Sequence, residues 1–293
     1  MKRILIFLPL AISIFTAYAG DLTTATPAEP AAMHLASPPG TDLLRNISYG
    51  PARLQQFDVY KPAKVTSAPI IMMVHGGAWM RGDKSATNVV TNKVAHWVPK
   101  GWIFISVNNR LFPEANPLEQ TEDVAKAIAC VQARARSWGG DPGRIILMGH
   151  SAGAHLVALL TASPEIAKKE HAKPWLATIP LDSAAYNIER IMALPHFGFY
   201  DTVFKSNPEF WRKASPTLVL NTKPVPMLLV CSTQRVLSCP QAQAFARKAK
   251  SLGGKAVQLP ENLTHEQINE LLGTACEYTS KVDEFIDSVI KAP

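Results

Sequence analysis

Gly149-His150-Ser151-Ala152-Gly153 stands between an apolar run at 145–148 and the small, apolar start of a helical segment. A serine between glycines at a strand–turn–helix junction suits nucleophilic attack: the sharp turn projects the hydroxyl, and only glycine-sized neighbours leave room for it. The helix N-terminus behind it favours developing negative charge. The same pentapeptide can occur by accident in a loop, but this placement selects the catalytic reading for Ser151. Upstream, another apolar run ends in His75-Gly76-Gly77-Ala78-Trp79. A Gly-Gly pair alone is an ordinary turn. Together with the elbow, the N–H groups of Gly76, Gly77 and Ala152 form an expected oxyanion hole, in which each donor contributes about 3–4 kcal/mol.

Such groups need a scaffold. Short continuous apolar runs at 70–74, 103–107, 145–148 and 227–230 suit strands covered on both faces, as in a parallel sheet. Helical spacing fills the gaps. Val124, Ile128, Val131, Ala135 and Trp138 share one face, and Ala242, Phe245, Ala249 and Leu252 share another before the stop at Gly253-Gly254. Leu272, Ala275, Val282, Ile286 and Val289 line a final helix. This alternation predicts an α/β fold. Residues 53–60 read as an antiparallel edge strand. The aromatic and proline-rich segment 184–216 breaks the alternation and reads as a cap insertion. Its Phe197, Phe199, Tyr200, Phe204, Phe210 and Trp211 either roof an apolar pocket or anchor a lid.

A general base must take the Ser151 proton. Behind an elbow of this kind the acid and then the histidine follow the serine in the chain. Of the eight histidines, His34, His75, His96 and His150 precede Ser151. His155 lies on the elbow helix and is expected to pack, while His171 and His196 fall outside the required loop. His265 follows the apolar run 256–259, just before the last helix. It is the expected base.

These residues resemble the α/β-hydrolase fold, and within it the esterase/lipase branch with an H-G-G-x-W oxyanion motif, to which bacterial carboxylesterases and kynurenine formamidase belong. The likeness runs from about Gln55 to the C-terminus. It includes Asn108-Asn109-Arg110-Leu111-Phe112-Pro113-Glu114, with Asn109 where the family has Tyr, together with Asp123, Gly140-Asp141-Pro142 and Ala214-Ser215-Pro216. The resemblance implies a mostly parallel sheet flanked by helices and a triad acid in the loop after the strand at 227–230, at or beside Val236 and Leu237. That loop, Gln234-Arg235-Val236-Leu237-Ser238, holds no carboxylate. Three readings stay open. Asp182, after the run 176–181, supplies the acid from a position some lipases use, with Glu261 as a weaker substitute. Otherwise a Ser–His dyad works slowly with Ser238 or a water orienting the ring, or the enzyme is impaired.

Lys2 and Arg3, an apolar run at 4–15 and Ala17-Tyr18-Ala19 form the three regions of a cleavable export signal over 1–19. The run is shorter than the roughly 20 residues a membrane span needs, so no stable membrane anchor is expected after cleavage. A flexible arm at 20–45 and a hydrolase domain at 46–293 complete the expected organisation, with a periplasmic or secreted location. Cleavage lowers the formal charge from +7 to +5; the scattered Lys and Arg give no nucleic-acid footprint. Export permits disulfides. Cys231 and Cys239 flank the acid-free loop and are the expected bridge; Cys130 and Cys276 read equally as a bond or as free thiols. No H-E-x-x-H or Cys/His spacing is present, so neither metal nor organic cofactor is expected. The expected activity is hydrolysis of small carboxylic esters, with arylformamidase chemistry or a degenerate, ligand-binding hydrolase as alternatives.

Overall fold

The computed structural model describes residues 38–291. The expected signal segment and residues 20–37 of the expected arm lie outside them. Eight strands form one sheet in the order β1-β2-β4-β3-β5-β6-β7-β8. They are β1 (Thr41–Ser48), β2 (Gln56–Pro62), β3 (Ala68–Val74), β4 (Ile103–Val107), β5 (Gly140–His150), β6 (Ala177–Leu181), β7 (Met227–Ser232) and β8 (Ala256–Glu261). β1 and β2 pair antiparallel; from β4 through β8 the pairing is parallel.

Two expectations need correction here. The edge strand is β1, not the segment around 53–60, which forms β2 one position further in with a nearly continuous buried run. Residues 41–45, assigned to the arm, belong to β1. Thr41, Leu43 and Ile47 are its less exposed positions, an alternation that a one-sided edge strand permits.

The helices are α1 (Thr87–Trp97), α2 (Pro117–Arg134), α3 (Ala152–Ala162), α4 (Pro164–Lys169), α5 (Ile188–Met192), α6 (Gly198–Phe204), α7 (Pro208–Lys213), α8 (Pro216–Val219), α9 (Ser238–Ser251), α10 (His265–Glu270) and α11 (Glu277–Ile290). Alternate strand residues serve opposite layers. Ile70, Met72 and Val74 pack with α2 and α3, while Ile71 and Met73 pack with α1, α10 and α11. Hence the strands read as uninterrupted apolar runs. Every residue of α3 is buried, which fits its lack of a polar face. The expected last helix is two: Gly273, at φ +100°, turns the chain between α10 and α11, so Leu272 and Ala275 lie in the connection. The expected cap occupies its place as α5–α8, between β6 and β7.

Parallel register brings the functional segments to one edge. Val74 pairs with Gly149, His150 with Leu181, Leu181 with Val230, and Ser232 with Glu261. The residues that follow these partners therefore emerge side by side at the carboxyl ends of the strands, where open parallel sheets bind ligands.

Cys231 and Cys239 are bonded, linking the end of β7 to the first turn of α9, whereas Cys130 and Cys276 are free. Cys276 holds the N-cap position of α11. Closing so short a ring contributes about 2.5 kcal/mol in the chain-entropy treatment. A Cys231→Ser/Cys239→Ser variant is expected to lose about 2–3 kcal/mol in urea unfolding, against less than about 1 kcal/mol for the pair Cys130→Ser/Cys276→Ser; equal losses would show that the bridge does not brace the loop.

Candidate active site

The turn after β5 is as tight as its glycines suggest. Ser151 has φ 55° and ψ −115°, a conformation that costs a non-glycine residue about 1–3 kcal/mol. A Cβ on Gly149 would lie 2.4 Å from the Gly153 carbonyl oxygen, and one on Gly153 would lie 2.3 Å from that of Val74. The Ser151 N–H donates to the Leu181 carbonyl at 3.0 Å, tying the elbow to the end of β6.

His265 opens α10 behind a capping box formed by Thr264 and Gln267. Its Nε2 lies 2.9 Å from Ser151 Oγ, and its Nδ1 lies 2.5 Å from Asp182 Oδ2. Of the carboxylates weighed for the acid position, the one against the imidazole is thus Asp182. It follows β6, is fully buried and also adopts a left-handed φ of 55°. Glu261 pairs instead with Lys281 at 3.3 Å. Val236 is 88% exposed, and neither it nor Leu237 stands at the ring. The loop residue that reaches His265 is Arg235.

That loop supplies donors in place of an acid. The Ser232 N–H donates to Asp182 Oδ1 at 2.8 Å, and the Ser238 hydroxyl donates to the same oxygen. Arg235 Nη1 donates to Asp182 Oδ2 at 2.7 Å and to the Asp182 carbonyl at 3.1 Å. Burial pushes the Asp182 carboxyl upward, but the His265 contact, the Arg235 charge and the two serine donors outweigh it and hold it well below the usual range. Ser238 therefore orients the acid and not, as the dyad reading had it, the imidazole.

Two other histidines have supporting places. His150 Nε2 donates to the His265 carbonyl at 3.0 Å, and its ring lies 4.5 Å from the His265 ring at a tilt of 35°. Burial, then the neighbouring His265, lowers it to about 3, so it remains neutral. His155 accepts from Trp79 Nε1 at 3.1 Å and donates to the Ala214 carbonyl at 2.7 Å, joining the H-G-G-x-W segment to the end of the cap.

Ser151, Gly76, Gly77 and Ala152 share the wall of a cavity of about 760 Å³. The ideal Cβ position of Gly76 lies 3.0 Å from Ser151 Cβ, so its backbone passes directly beside Ser151. Phe197, Phe199 and Tyr200 of the cap also line it. Tyr200 and Phe204 also pack on Trp79, with ring centroids 5.7 and 5.0 Å away. The cap aromatics thus both roof the cavity and anchor the insertion.

A family model described as BD-FAE matches residues 57–189. The probable isoprenylcysteine alpha-carbonyl methylesterase ICME of Oryza sativa subsp. japonica is 30% identical over 252 residues, covering 77% of this chain and 58% of the relative. Esterase LipQ of Mycobacterium tuberculosis is 27% identical over 234 residues, covering 74% and 55%. The chain is thus similar in sequence, over part of its own length and of theirs, to proteins named as esterases. It spans 58% and 55% of the length of these two relatives. Solved structures share the fold: a truncated carbohydrate esterase from gut microbiota (TM-score 0.73, 17% identity, 87% of this chain and 99% of that one) and Esterase B from Lactobacillus rhamnosis (TM-score 0.70, 16% identity, 87% and 88%).

Sequence reasoning missed Arg235 and the support given by His150. The available signal for Arg235 was a cation in a loop expected to carry an anion. Behind α10 stands a further unanticipated group, the buried Lys93 of α1. Its Nζ donates to the carbonyls of Asn269 at 2.6 Å and Asn88 at 3.3 Å. Burial lowers it to about 7, against the opposing pull of Glu270. The unfolded chain then binds more protons than the folded one between about pH 7 and 10, so Lys93 makes stability rise with pH across that window. Lys93→Met is expected to flatten that rise in urea unfolding; an unchanged slope would show that Lys93 stays charged in the fold.

Proposed function

We propose that this chain is an exported serine hydrolase of small carboxylic esters, acting through an acyl-enzyme. The observation that carries the reading is the continuous contact from Ser151 Oγ through His265 to Asp182, at 2.9 and 2.5 Å, opening into the cavity. Ser151 attacks the acyl carbon as His265 Nε2 takes its proton, and Asp182 stabilises the imidazolium at Nδ1. The N–H groups of Gly76, Gly77 and Ala152 receive the negative charge on the former carbonyl oxygen. Collapse of the tetrahedral intermediate expels the alcohol, protonated by His265. Water, deprotonated by the same ring, then releases the carboxylic acid and restores Ser151.

The curated relatives are named as esterases, which favours ester over formamide substrates. Export rests on the residue pattern of 1–19 and agrees with the Cys231–Cys239 bridge. The complete Ser–His–Asp contact weighs against a degenerate hydrolase.

With p-nitrophenyl acetate, Ser151→Ala is expected to lower kcat by at least about 10⁴-fold, and Asp182→Asn by about 10⁴-fold. Adding Val236→Asp or Leu237→Asp to Asp182→Asn is expected to restore nothing, because neither position faces the imidazole. Hydrolysis undiminished in Ser151→Ala would sink the mechanism, and recovery with either aspartate would move the acid back to the loop.

A further inference from the structure

Three atoms meet at the inner edge of the triad. Arg235 Nη1 is 2.7 Å from Asp182 Oδ2, that oxygen is 2.5 Å from His265 Nδ1, and Nη1 is 3.0 Å from Nδ1. If His265 Nε2 is to accept the Ser151 proton, Nδ1 must carry hydrogen and direct it at the carboxylate. The Nη1–Nδ1 approach then sets two donors against each other and cannot be a hydrogen bond. It is tolerable while the ring is neutral. Once the ring is protonated, two cations lie in contact.

We propose that Arg235 is a positioning residue of the triad that also keeps His265 unprotonated further into acid than Asp182 alone would allow. This rests on the ester-hydrolase reading above for its consequence in catalysis. Asp182 acting alone favours the imidazolium, and a base already protonated before substrate arrives cannot take the serine proton. Arg235, paired with the same carboxylate oxygen, offsets part of that pull. Among the described residues, no other group around the ring pairs a positive charge with the same carboxylate. His150 from β5 lies against its face and is neutral, and the Nζ of Lys93 from α1 bonds to the Asn269 and Asn88 carbonyls, touching neither the ring nor Asp182. Glu266 beside it in α10 and Asp83 across the cavity carry negative charge, the wrong sign.

The geometry also separates this role from simple propping. Without Arg235, Asp182 keeps the Ser232 N–H, the Ser238 hydroxyl and His265 as partners. A neutral side chain at 235 should therefore leave the acid in place while removing the charge. Arg235 is 29% exposed at its side chain, so its replacement is compatible with folding.

The test compares wild type, Arg235→Gln and Arg235→Lys by two measurements. One is the pH profile of kcat/KM for p-nitrophenyl acetate. The other is the titration of the His265 ring by NMR on ¹⁵N-histidine-labelled protein, which reads the ring whether or not ester is cleaved. In Arg235→Gln the titration midpoint and the acid limb are expected to move up together by about one pH unit. That is about a tenfold loss of kcat/KM on the limb, beyond any change in the plateau. Arg235→Lys is expected to keep the wild-type limb. An unmoved His265 titration in Arg235→Gln, or a limb displaced equally by Arg235→Lys, overturns the proposal. A shifted titration in a protein that cleaves no ester would uphold the role of the charge and sink the hydrolase reading instead.

Discussion

A carboxylate with no exposed surface is the constraint on which the rest of this site depends. Burying that charge without partners would cost several kcal/mol, and the fold meets the need with donors from separate segments. β6 delivers Asp182; the connection from β7 to α9 delivers a backbone N–H, a hydroxyl and a guanidinium; α10 delivers the imidazole. All three donors from the connection, at Ser232, Arg235 and Ser238, lie inside the small ring closed by Cys231 and Cys239. The bridge therefore encloses the segment whose shape decides whether the acid is satisfied. A loop without an acidic residue has become the socket for one.

Strain and register work together at this edge. Ser151 and Asp182 are both non-glycine residues with φ near 55°, at the ends of neighbouring strands. Each is fixed by a bond into the next strand: the Ser151 N–H to the Leu181 carbonyl, the Asp182 N–H to the Val230 carbonyl. The parallel ladder thus continues one residue past its regular end and holds two unfavourable conformations in series. Slippage between β5, β6 and β7 would displace Ser151 and Asp182 together, so the proposed catalysis requires rigid central strands.

The parts legible in the sequence were those written in short range. Continuous apolar runs gave the strands, periodic faces gave most helices, and glycines flanking Ser151 gave the elbow. His265 followed from chain order, and the Cys231–Cys239 bridge from proximity along the chain. Asp182 was only one option among several, because its pairing with Arg235 spans more than fifty residues and depends on β6 and β7 being neighbours. Family spacing pointed to Val236 and Leu237, yet the direction of side chains in a tight loop is set by its closure and by what it packs against. The boundary of β1 failed for a different reason: an edge strand with one half-buried face carries too weak an alternation to stand out from a proline-rich approach.

The surroundings of His265 are asymmetric in a way that bears on how the base works. Its face meets a neutral imidazole, that of His150, which also grips its backbone carbonyl; its edge meets Asp182 and Arg235. Packing a neutral ring against His265 fixes its orientation. The charge lies at the edge, in one anion and one cation that also touch each other. Because Coulomb interaction at contact distance is strong in a partly desolvated site, small displacements of either group act on the ring with opposite sign. A mobile pair there would leave the base poorly defined. Pinning the carboxylate on both oxygens and the guanidinium on both the carboxylate and the carbonyl of Asp182 removes that freedom, so a site with an unusual distribution of charge still holds its imidazole in a defined place.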